Sequence, residues 1–217
     1  MKLLQKILFC LTLFLVTAAN YLVFIWVPPE RIMGPVQRIF YFHVGCAIAC
    51  YCCVGIVFVC SLIFLSRRAA TSDIVSEAAA EVGFMFCTMV LASGMIWGHA
   101  VWNTWFNWEP RLVTFLLLWL ILLSLNLLRV FGDRNKIAAH SAVLGVLGAV
   151  TVPLVILSIK LLPQVAQLHP QVIATGGLHP AMKQVLLASV LAIISLQILL
   201  VWLRAQTGLI AHQLEAE

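Results

Sequence analysis

Long uncharged runs alternate with short charged interruptions along this chain. The runs cover Ile7 to Val27, Ile39 to Ser66, Val82 to about Trp97, Leu112 to Leu128, Ile137 to Ile159 and Gln184 to Leu203. Each is close to or beyond the roughly 20 residues with which an α-helix crosses a hydrocarbon core. Lipid offers the backbone no hydrogen-bond partner, so a run of this kind has to be helical. The pattern predicts an all-α, polytopic membrane protein with six transmembrane helices. The first run ends at Pro28-Pro29, which cannot continue a helix. A cleaved leader would have a shorter apolar core and a small-residue exit, so this run reads as an anchor. Between the second and third runs, Asp73, Glu77 and Glu81 recur every fourth residue, which marks a helix with one acidic face, expected as a solvated extension of the third span. No low-complexity linker or long repeat divides the chain, and residues 1–217 read as one six-helix membrane domain.

Composition narrows the classes further. With 63% hydrophobic and 10% charged residues, against about 45–50% and about 25% in soluble domains, a large soluble domain is excluded. The net charge of +5 is scattered, without the basic run or aromatic-basic ribbon that tracks a phosphate backbone, so nucleic acid is not an expected partner and membrane lipid is. The seven cysteines include no Cys-x-x-Cys-His, which argues against self-attached c-type haem. Cys46, Cys50, Cys52, Cys53 and Cys60 share one apolar run, where packing is the expected role.

Lys and Arg set the orientation. Lys2, Lys6, Arg67, Arg68, Arg129, Arg134, Lys136 and Arg204 fall on one side of the six spans; Arg31, Arg38, Arg111, Lys160 and Lys183 fall on the other. The richer side is expected to be cytoplasmic and to hold both termini. Three loops then face outward: Pro28 to Arg38, Trp97 to Arg111, and Lys160 to Lys183. The unusual chemistry is concentrated in them.

Trp97, Trp102, Trp105 and Trp108 crowd the middle loop, with Phe106 among them and Glu109-Pro110-Arg111 after them. An aromatic belt at headgroup level explains one or two tryptophans. Four suggest a platform for a flat apolar ligand. Arg111 adds a planar fork suited to a carboxylate, and a flat apolar ring bearing carboxylates describes haem. Haem iron takes imidazole ligands. His43 lies five residues beyond Arg38, about 7.5 Å along a helix, and an ionisable group at that depth is a functional candidate. Arg38 could reach a propionate from there, although an interfacial arginine that snorkels explains it nearly as well. The last outer loop holds Leu168-His169-Pro170 and Leu178-His179-Pro180. Pro180 suits the first turn of a helix and puts His179 at its cap; His169 has no such structural role and is the preferred second ligand. His99 reads as a rim residue. His140 and His212 fall on the cytoplasmic side and are set aside.

These residues resemble the haem-handling membrane proteins of cytochrome c maturation, specifically the six-span C component of the Ccm system. The likeness spans nearly the whole chain and rests on the WG…W..W.WEPRL segment, on Arg38 with Tyr41-Phe42-His43-Val44, and on Val152-Pro153 followed by Ser158. Longer relatives of the CcmF and CcsA types share the tryptophan motif but have more spans. Asn103 and Phe106 stand where that family commonly has Gly and Trp, Glu109-Pro110 replaces Asp-Ala, and Gly45-Cys46 replaces Pro-Ala. The resemblance implies that His43 and His169 are the axial ligands of a b-type haem, that Arg38 and Arg111 are the family's arginines, and that the tryptophans lie along the ring. It also implies residence in the bacterial inner membrane, delivery of haem to a periplasmic CcmE-type chaperone, and a complex with a CcmA/CcmB-like ABC transporter pair and a small CcmD-like subunit. Glu109 is expected to organise the loop by hydrogen bonding. No residue pair suggests hydrolysis, so a presenting protein is expected rather than an enzyme. A b-type electron-transfer protein would usually bury its haem between helices without an aromatic ledge. A small-molecule transporter would break its helices near the midplane.

Overall fold

The computed structural model describes residues 3–133, 136–161 and 177–215. Among these, six long helices account for the architecture: α1 (Leu3–Tyr21), α2 (Arg38–Arg67), α3 (Ala70–Trp102), α4 (Pro110–Phe131), α5 (Ile137–Leu161) and α6 (Pro180–Glu215). All six are long and apolar enough to cross a membrane, and this is a multi-pass membrane protein. No strand occurs among the described residues.

The apolar runs locate the helices, but charged residues extend them. α2, with 30 residues, is roughly 45 Å long and α3 is longer still, both beyond a hydrocarbon core of about 30 Å. α6 continues through Arg204 to Glu215, well past Leu203 where its uncharged run stops. α1 closes in a π-helical turn, Leu22–Trp26, before the two prolines end it. α5 continues past Pro153, which lies inside it.

α2 and α3 share the most extensive interface, α5 and α6 cover other faces of α2, α4 packs on α5 and α3, and α1 lies against α6. The core is built on a stripe of small and medium side chains. Cys46, Ala49, Cys50, Cys53 and Val57 recur at helical spacing on α2 and are buried against Ala79, Phe86 and Cys87 of α3. The thiols are free. The packing role expected for the cysteines fits Cys46, Cys50 and Cys53; Cys52 points outward and Cys60 is half-buried.

Lipid gives helices no hydrophobic reason to associate, so close backbone approach through small residues has to supply contact. At Gly83 of α3, an added Cβ would stand 2.9 Å from the Cys53 Cβ of α2, an atom that can move only with its backbone. Gly83→Ala is expected to push α2 and α3 apart and cost about 1–3 kcal/mol, read as a lowered midpoint of thermal unfolding in detergent.

The acidic face of α3 is where the structure departs from expectation. It is partly open to water, and it is also paired. Arg129 of α4 grips Asp73 with both terminal nitrogens, at 2.9 and 2.5 Å. Arg204 of α6 forks onto both oxygens of Glu81 at 2.6 and 2.7 Å. Glu77 lies between them, 4.0 Å from Arg129 and 3.5 Å from Arg204. Acidic residues at four-residue spacing look alike in sequence whether they meet water or arginines of other helices.

Candidate functional site

The opposite end of the bundle gathers the residues singled out in sequence. Arg38 opens α2 directly after a 3-10 turn, Pro35–Gln37, and Phe40 and His43 follow one helical turn apart on one face. His43 Nδ1 is 3.0 Å from the Oγ of Ser93 on α3, and Ser93 is buried. The next residue is Gly94, where a Cβ would meet the His43 Cε1 at 3.1 Å. Glycine thus lets the imidazole lie close to the α3 backbone. From the first turn of α4, the Arg111 guanidinium lies within electrostatic range of both His43 and Tyr51. One turn further along α4, Phe115 meets the Tyr51 ring edge-on at 6.1 Å. His43, Ser93 and Arg111 therefore converge from three helices.

The tryptophan segment is part helix and part loop, not a loop throughout. α3 continues to Trp102, so Trp97 and Trp102 stand on its last turns. It ends at Asn103, whose φ of 55° is left-handed and whose N–H donates to the His99 carbonyl at 3.0 Å. A helix that stops this way takes Gly or, less often, Asn, which accounts for Asn103 in place of the commoner glycine. The rings form three pairs rather than one continuous ledge. Trp97 meets Trp102 edge-on at 5.4 Å, His99 stacks on Trp105 at 4.1 Å, and Phe106 meets Trp108 edge-on at 5.1 Å. Exposure rises along the segment, from 6% at Trp97 to 55% at Trp105 and 78% at Trp108. His99, read in sequence as a rim residue, is a stacking partner. Its Nδ1 and the Trp97 Nε1 are buried without a hydrogen-bond partner among the described residues.

Glu109 is buried and extended immediately before Pro110, the first residue of α4. The residue before a proline favours that conformation, and a carboxylate there complements the positive end of the helix dipole. Arg38 carries its guanidinium carbon 6.0 Å from the Phe24 ring centroid, on the side of α2 that meets the end of α1.

A cavity that no sequence pattern announced lies beside these residues. It measures about 570 Å³ and is lined by the first loop from Pro28 to Met33, by Phe40, Trp97, Met182 and by Gly177 to His179. Phe40 is one turn before His43, and Trp97 one turn after Ser93, so the cavity and the imidazole share α2 and α3, although His43 is not part of the cavity lining. The first loop is a closed turn. The Glu30 carboxylate accepts the N–H groups of Ile32 and Met33 at 2.8 and 2.6 Å, which holds its carboxyl below the usual carboxylate range. Gly34 completes the turn at a φ of 58°. His179 has the capping role expected of it, since its Nδ1 accepts the Ala181 N–H at 3.3 Å. His169 lies outside the described residues, as does the stretch 162–176 around it.

The family model described as heme exporter protein C matches residues 1–217. The chain belongs to the heme exporter protein C family. Relatives within that family include the heme exporter protein C of Bradyrhizobium diazoefficiens, 32% identical over 133 residues, which are 61% of this chain and 51% of that protein. That of Paracoccus denitrificans is 34% identical over 124 residues, 57% of this chain and 52% of the relative. That of Escherichia coli K12 is 29% identical over 134 residues, 61% and 55% of the two chains. The chain spans about half the length of the curated heme exporter C relatives it matches.

Proposed function

We propose that this protein binds haem at the periplasmic face of the bacterial inner membrane and presents it to a periplasmic chaperone during cytochrome c maturation. The observation that carries this reading is His43. It sits one helical turn from Phe40, which lines the cavity together with Trp97, with one ring nitrogen engaged by Ser93 and the other left for a metal. Among the described residues no three His, Cys, Asp or Glu side chains gather to hold a bare ion. A porphyrin needs no such group, because it brings its own four equatorial nitrogens and asks the protein only for axial donors.

His43 and His169 would hold the iron of a b-type haem, one imidazole from each. Arg111, already within range of His43, orients a propionate by a forked hydrogen bond, and Arg38 serves the other. Trp97 walls the cavity, while Trp102, Trp105 and Trp108 give the ring an apolar surface that becomes steadily more open toward a docking partner. Glu109 fixes the turn from the aromatic loop into α4. The protein supplies position, not acid-base chemistry.

Orientation follows from the charge count, with the richer Lys/Arg end and both termini cytoplasmic. The partners are a CcmE-like chaperone that accepts the haem, a CcmA/CcmB-like transporter pair and a CcmD-like subunit. The test is the amount of haem covalently loaded onto a co-expressed chaperone. A variant lacking the Trp102, Trp105 and Trp108 rings loses contacts of about 0.5–1.5 kcal/mol each. Loading is expected to fall roughly tenfold or more, while the membrane yield of a protein altered at three partly exposed positions stays near normal. Wild-type loading by that variant would remove the platform from the mechanism.

A further inference from the structure

We propose that Ser93 is a positioning residue for His43: its hydroxyl oxygen accepts the Nδ1 proton and so fixes the tautomer whose Nε2 lone pair is free to bind iron. This rests on the reading of His43 as an iron ligand.

The direction of the hydrogen bond follows from counting protons. A serine hydroxyl carries one. The Ser93 Oγ lies 2.6 Å from the Met89 carbonyl and 3.3 Å from the Val90 carbonyl. A carbonyl can only accept, so the hydroxyl proton belongs to the α3 backbone, and chiefly to Met89. Toward His43, at 3.0 Å, the oxygen has only lone pairs left to offer. The imidazole must then be the donor. A neutral imidazole that donates from Nδ1 carries its lone pair on Nε2.

Three features make the arrangement rigid. The Ser93 side chain is held against its own helix by the bond to Met89, four residues earlier. Burial of Ser93, 8% exposed, keeps water from competing for the same lone pairs. The absent side chain at Gly94 leaves the ring space against α3, and the Cε1 it would crowd lies between the two ring nitrogens. Metal-binding imidazoles commonly have their second nitrogen held in this way, by a carboxylate, carbonyl or water. A hydroxyl polarises the ring less than a carboxylate, which suits a ligand that has to release what it holds.

The experiment uses the full chain in detergent, labelled with 15N-histidine and free of haem, with a His43→Gln variant to identify the His43 signals. The expected result is protonation at Nδ1 in the wild-type protein, a mixed tautomer population in Ser93→Ala, and return to the wild-type state in Ser93→Thr, which restores the hydroxyl. In haem-loaded samples, Ser93→Ala is expected to lower haem retention about 10–100-fold, the usual cost of losing such a partner, and to alter the haem absorption spectrum, with Ser93→Thr recovering both. Protonation at Nε2 in the wild-type protein overturns the proposal, as does a tautomer unchanged in Ser93→Ala. A His43→Ala protein with the wild-type haem spectrum would instead remove the ligand reading, leaving the tautomer measurement to stand by itself.

Discussion

Replacing His43 with alanine is expected to strip the purified protein of most of its haem. Loss of a residue that only orients a metal-bound histidine typically costs 10–100-fold in affinity, and loss of the ligand itself should exceed that. The fold should survive. His43 is only half-buried, and it meets α3 at Ser93 and Gly94, near one end of the α2–α3 interface and two to three turns from Cys53 and Phe86. Removing the ring also opens space beside Gly94, so added imidazole is expected to restore part of the spectrum. The measurement is haem absorbance per protein after purification from haem-replete cells, with thermal unfolding of the haem-free form as the control. His169→Ala should change the spectrum as well. Unchanged spectra in both variants would show that neither histidine meets the iron.

The second large effect lies at the other end of the molecule. Arg129 and Asp73 form a forked pair with only 11% and 18% of their side chains exposed. Surface pairs contribute about 0.2–1 kcal/mol, whereas breaking a fully buried one costs about 3–5 kcal/mol. Arg129→Gln leaves Asp73 and Glu77 facing each other with a single arginine, Arg204, in range of Glu77, and should destabilise the bundle by about 2–3 kcal/mol. Asp73→Asn combined with it should cost less than the sum of the two single changes, because each alone strands a partner. Thermal unfolding of the four proteins in one detergent completes the cycle. Additive effects would mean that the fork contributes nothing beyond its separate side chains. Haem binding should be untouched, since the pair and the imidazole occupy opposite ends of the bundle.

The six apolar runs, the prolines at 28, 29 and 180, and the cap at His179 were all legible, because each depends on a rule that acts within a few residues. Convergence of His43 and Arg111 was legible only as a shared side of the membrane. That Ser93 stands between α3 and the imidazole was not legible. Serine is common in spanning helices, and its significance depends on a neighbour 50 positions away. The same holds for Asp73, Glu77 and Glu81, whose spacing named a face but not what covers it. The tryptophan segment shows a third kind of limit. Its composition marked a candidate site, while the left-handed Asn103 that divides it into helix and loop depends on a single backbone angle. The cavity by Pro28 to Met33 is built from three separated segments, and no local pattern could have drawn it.

The pairing of α1 with α6 bears on how such a chain is made. Among the described residues, α1 has no extensive helical neighbour except α6, and Thr12 donates to the Ser195 carbonyl at 3.3 Å across 183 positions. The earliest of the six helices to leave the ribosome must therefore wait in the lipid, unclaimed, until the latest has been inserted. A product stalled or shortened before α6 therefore leaves the α1 face uncovered and should expose it to membrane quality-control proteases.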